Sequence, residues 1–110
     1  MADGKLVRDR IPEIIRSSGR EPKVSVLGVA AYRAALGAKL AEETGEFLRS
    51  GDLLELANIL EVVHALAELD GQTLEDLETL RLKKRAERGG FERRLFLESV
   101  ADRREVGGCD

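Results

Sequence analysis

At 110 residues the chain has room for one domain, and a domain this small has a thin core unless a partner completes it. It is 43% hydrophobic and 35% charged, too apolar for a disordered chain, and its 18 basic and 21 acidic residues leave a net charge of −3. That balance supplies no general positive field, so no nucleic-acid partner is expected. The only cysteine, Cys109, rules out an intramolecular disulfide and a cysteine-built zinc site. The opening MADGKLVRDR is charged and lacks the apolar run of a signal peptide. No stretch has the apolar length a bilayer crossing needs, so a cytoplasmic protein without a membrane partner is expected.

In chain order, "KLVRDRIPEIIRSSG" begins extended. Pro12 disfavours a helical Ile11 and suits a first helical position, so a short helix over Glu13–Arg16 should follow and stop at Gly19. "EPKVSVLG" reads as β-like or extended, with Val24 and Val26 on one side. From Val29 to Ser50 the spacing predicts a helix carrying Leu36, Leu40, Glu43 and Phe47 on one stripe. Gly51 breaks it, and Asp52 is placed to cap the next helix, Leu53 to about Asp70. That second helix is apolar on nearly every side, which in so short a chain points to a subunit interface. Thr73 and Asp76 have capping-box spacing and should open a third long helix running through Arg88. The residues after "RGGF" have no assigned form, and "ADRREVGGCD" reads as a polar tail. The expected organisation is one helical domain over residues 1–100 with a tail over 101–110.

"KLAEETGE" places three carboxylates, Glu42, Glu43 and Glu46, inside an apolar pattern. Glu43 shares the Leu36–Leu40–Phe47 stripe, and Glu46 lies one turn on. In the next helix Glu55 and Asn58 repeat the spacing of three. In an antiparallel hairpin centred between Ser50 and Gly51, Glu46 is level with Glu55 and Glu43 with Asn58. Four oxygen-bearing side chains would then converge. Packed together, bare carboxylates repel and resist desolvation, and a divalent cation such as Mg²⁺ removes that conflict. The competing arrangement has these acids facing water and pairing with Arg33, Lys39 or Arg49.

"KLVRDRIPEII", "KLAEETGE", "ELANILEVVHAL" and "RLKKRAERGGF" stand in an order and spacing that resembles the MazG-like nucleotide pyrophosphohydrolases, most closely the short phosphoribosyl-ATP pyrophosphohydrolase-like branch. The likeness covers residues 5–97. It implies an all-α fold in which a helical hairpin with a short extended N-terminal segment is completed into a bundle by dimerisation, as a homodimer or dimer of dimers. It also implies Mg²⁺-dependent hydrolysis of a nucleoside triphosphate or related nucleotide to a monophosphate and pyrophosphate, with Mn²⁺ as an alternative ion. By the same resemblance Glu43, Glu46 and Glu55 match metal ligands, and Glu42 matches the base that activates water. Asn58 stands where the family usually carries an aspartate ligand. It still offers an oxygen but one less negative charge, which points to weaker metal binding, one ion instead of two, or loss of activity; Glu61, one turn on, is a candidate substitute.

The substrate phosphates would need cations. Lys5 and Arg8 in the N-terminal segment and Lys84 and Arg88 before the Gly-Gly turn are the candidates, the latter two because "K…RGGF" recurs in the family. Basic residues at a helix C-terminus also complement its dipole without any ligand. Asp9 reads as a local cap or ion-pair partner. Glu61 and His64 form an E-x-x-H, as in diiron carboxylate bundles, although a lone histidine on an apolar helix is more often a packed residue. The other alternative is a nucleotide-binding or regulatory homologue that Asn58 leaves weak or inactive.

Overall fold

The computed structural model describes residues 4–102; Cys109 and the tail beyond residue 102 lie outside them. Four helices follow in order: α1 (Ile11–Ser17), α2 (Val29–Ser50), α3 (Leu53–Leu69) and α4 (Leu74–Arg88), with no strand among the described residues. The fold is all-α. The chain divides into two compact units, Met1–Leu77 and Glu78–Asp110, with the boundary inside α4.

Local chemistry accounts for each boundary. Ile11, expected outside the first helix, is its first residue, with Pro12 second. A turn over Asp9 and Arg10, closed by the Ile11 N–H donating to the Arg8 carbonyl at 3.0 Å, brings the chain into helical geometry one residue early. The Pro constraint disfavours that conformation without forbidding it. "EPKVSVLG", expected to be β-like or extended, forms neither strand nor helix, and Val26 is 99% exposed.

α2 ends at Gly51, whose φ of 66° is the left-handed conformation a C-terminal stop requires; its N–H donates to the Phe47 carbonyl. The Asp52 side chain accepts from the Leu54 N–H at 3.0 Å and starts α3. Between them these two residues fold α2 back against α3. The expected capping box closes reciprocally: the Thr73 N–H donates to Asp76 Oδ2 at 2.9 Å, and the Asp76 N–H donates to Thr73 Oγ1 at 3.0 Å.

Within the first unit α2 and α3 pack together, and the only buried hydrophobic residues among the described ones are Leu36 on α2 and Val62 on α3. Glu55, Asn58, Ile59 and Leu66 share the Val62 side and are half-buried. The opposite side of α3 stays open, with Leu53, Leu56 and Leu60 exposed. So the near-continuous apolar character of α3 is used on one side only within the single chain.

Candidate functional site

α2 ends at Ser50 and α3 begins at Leu53, so Gly51 and Asp52 form the turn, and an ion pair ties the two helices at the open end of the hairpin. The Arg33 guanidinium reaches Asp70 at 2.6 Å. Glu43 and Asn58, expected level with one another, both line one pocket of about 530 Å³ in the first unit. α2 contributes Tyr32, Leu36, Lys39 and Glu43 to it, four positions on a single helical stripe. α3 contributes Asn58, Glu61, Val62, Ala65 and Glu68, and the N-terminal segment from Leu6 through Ile11 forms the third wall.

Arg8 fixes that wall to α3. Its Nη2 donates to Asn58 Oδ1 at 2.9 Å, across fifty residues of sequence. Asn58 in turn donates from Nδ2 to Glu55 Oε1 at 3.1 Å. An amide is suited to that place because it accepts from a cation on one side and donates to a carboxylate on the other; an aspartate can only accept.

On α2, Lys39 binds two acids, reaching Glu42 at 3.2 Å and Glu43 at 3.6 Å. The Lys39 and Glu43 side chains are 19% and 14% exposed, so this pair is shielded from solvent in a way surface pairs are not. Glu43 therefore faces inward, as its stripe predicts. Glu46 is nearly half-exposed and is held by Arg49 at 2.8 Å.

Glu43, Asn58 and Arg8 are thus brought to one pocket, and Glu55 is joined to it through Asn58. Glu42 is held at its edge by Lys39, while Glu46 and Glu55 lie nearer the turn and do not line it. The convergence expected from the register is partial. Among the described residues no three Asp, Glu, His or Cys side chains are grouped closely enough to hold a metal ion. The pairing with Lys39 and Arg49, weighed against convergence on sequence grounds, is the arrangement present; Arg33 goes to Asp70 instead.

Glu61 lines the pocket and His64 is half-buried. Lys5 is exposed and does not line this pocket, and Arg10 is engaged by Glu13 at 2.8 Å. Asp9 lines the pocket, and its side chain has no hydrogen-bond or ion-pair partner among the described residues, so it is not the local cap its position suggested. Lys84 and Arg88 belong to the second unit. There Arg88 lines a pocket of about 580 Å³ with Arg85, Phe91 and Arg94, and Arg85 pairs with Glu92 at 2.6 Å, which holds the Glu92 carboxyl below the usual range.

Two pocket residues carried no functional weight in the sequence. Lys39 was visible only as a pairing partner. Tyr32 lies one turn N-terminal to Leu36 on the same stripe, and extending that stripe would have found it.

No family model matches the chain, and no solved structure matches it. An uncharacterized protein of Mycolicibacterium smegmatis (strain ATCC 700084 / mc(2)155) is 55% identical over 53 residues, covering 48% of this chain and 53% of that relative. The match thus spans about half the length of the relative.

Proposed function

We propose that the protein is a Mg²⁺-dependent nucleotide pyrophosphohydrolase, working as a homodimer or higher assembly. The observation that carries this reading is the pocket in which Glu43, Asn58 and Glu61 meet Arg8 and Lys39 between two packed helices. The MazG-like order of motifs supports it from the sequence side.

Glu43, Glu46 and Glu55, with the Asn58 amide oxygen or Glu61, are hard oxygen donors of the kind Mg²⁺ takes, and they would hold it only once drawn closer together than they now stand. Taking up the ion requires the carboxylates to leave their present partners. The exposed Arg49–Glu46 pair contributes only about 0–1 kcal/mol, so its opening is a small obstacle, while the shielded Lys39–Glu43 pair is the larger one. Once bound, the ion would offset charge that develops on the phosphates.

Lys39 and Arg8, released toward the pocket, would hold phosphate oxygens. Glu42, at the pocket edge, would orient a water and accept its proton. The water oxygen bonds to the α-phosphorus, the bond from that phosphorus to its bridging oxygen breaks, and pyrophosphate leaves with the electron pair. Leu53, Leu56 and Leu60, open on α3, would be covered by a second copy.

The test is pyrophosphate release from a panel of nucleoside triphosphates with Mg²⁺ or Mn²⁺. Native protein should release it and Glu42→Gln should not, while still binding nucleotide. Asn58 favours a second reading, a nucleotide-binding regulatory homologue. It gains ground if native protein is inert and Asn58→Asp is active. If both are inert and no nucleotide binds, the enzyme reading fails.

A further inference from the structure

The two ends of the pocket differ in chemistry. Tyr32 and Glu43 are eleven residues apart on α2, about 16 Å along the helix axis. α2 lines the pocket with Glu43, Lys39, Leu36 and Tyr32 in that order away from the turn, and α3 with Asn58, Glu61, Val62, Ala65 and Glu68, so in the antiparallel hairpin Glu43 and Asn58 share the end nearer the turn and Tyr32 and Glu68 the open end. The trough therefore runs from a polar end through an apolar middle to an aromatic ring beside an acid.

Three cations line it: Arg8, Arg10 and Lys39. Arg10 is committed to Glu13, which leaves Arg8, bonded to Asn58, and Lys39, hydrogen-bonded to Glu42 and ion-paired with Glu43. Both remaining cations are thus tied to the polar end. At the other end Glu68 repels anionic groups, while Tyr32 and the side chains of Leu36 and Ala65 offer apolar and aromatic contact. A volume of about 530 Å³ is in the range of small-molecule sites.

We infer that a nucleotide lies lengthwise in this trough, with its phosphates at the Arg8–Lys39 end and its base stacked on Tyr32, an inference that rests on the nucleotide reading above. Every nucleobase has a π-face, so stacking on Tyr32 provides affinity without strong choice among bases. Selectivity among them would fall to Glu68, whose carboxylate accepts hydrogen bonds and so favours a base edge carrying an amino group.

Tyr32 is the only tyrosine and the chain has no tryptophan, so tyrosine emission reports this one ring. The experiment titrates full-length protein, in Mg²⁺, with each of four ribonucleoside triphosphates and with inorganic tripolyphosphate. Emission lifetime, which nucleotide absorbance does not shorten, is read alongside calorimetric affinity. Nucleotides should shorten the lifetime saturably, and tripolyphosphate should bind without doing so. Tyr32→Ala should weaken nucleotide binding by about 5- to 100-fold. It should leave tripolyphosphate affinity as in the native protein, and Tyr32→Phe should keep nucleotide affinity. Nucleotide binding with an unchanged lifetime would overturn the orientation and leave the nucleotide reading standing. Equal losses for nucleotide and tripolyphosphate in Tyr32→Ala would make the ring structural and overturn it as well. If native protein binds neither, the orientation and the nucleotide reading fall together.

Discussion

Replacing Asn58 with aspartate separates the two roles this position can have. In the structure its amide accepts from Arg8 at 2.9 Å and donates to Glu55 at 3.1 Å. A carboxylate there would gain attraction to Arg8 and repulsion from Glu55. At an effective dielectric near 20 those terms are each about 5–6 kcal/mol and of opposite sign, so they largely cancel. What does not cancel is the donor lost to Glu55, one hydrogen bond with a net contribution of about 1 kcal/mol. Without metal, Asn58→Asp should therefore lower the unfolding midpoint by about 4 °C in a thermal melt. With Mg²⁺ the ordering should reverse, because an added negative ligand would strengthen the proposed cation site; an ion at a hundred times its Kd adds about 2.7 kcal/mol. Melts with and without Mg²⁺ on both proteins check this. A variant as stable as native protein without metal would refute the Arg8–Asn58–Glu55 bridge. A Mg²⁺ response no larger than native would refute a shared ion between α2 and α3.

Gly51→Ala should cost about 1–2 kcal/mol, since its φ of 66° is the left-handed conformation and no atom lies within 4 Å of an added Cβ to clash instead. An unchanged melting midpoint would count against that stop. Asp76 is held below the usual aspartate range, first by the Thr73 backbone N–H and then by its hydroxyl. Its folded value is lowered, so its capping contribution is present above the ordinary pKa of about 3.9 and lost as pH falls through the lowered one. Amide exchange in the first turn of α4, corrected for intrinsic rates, should quicken over that acid range and lose the dependence in Asp76→Asn. Leu56→Lys with Leu60→Lys should reduce the light-scattering mass toward a monomer with helix content retained. An unchanged mass would remove this α3 face from any interface.

The helices and their ends were legible in the sequence because their causes are local. Gly51, Asp52 and the Thr73–Asp76 box act on backbone groups within four residues, and the 3.6-residue stripe through Leu36, Leu40, Glu43 and Phe47 needs no knowledge of the rest of the chain. Glu43 and Asn58, expected level with one another across the hairpin, line the same pocket. The pairs of Lys39 with Glu42 and Glu43, and of Arg49 with Glu46, span three or four residues of one helix and were among those weighed from the sequence. Tertiary structure alone decided the long-range ones, in which Arg8 reaches Asn58 from fifty residues away and Arg33 reaches Asp70. Periodicity fixes the direction in which a side chain leaves its helix. A long, charged side chain then settles among several partners of similar energy, and that choice depends on the distances and shielding that only the packed hairpin and its N-terminal wall create.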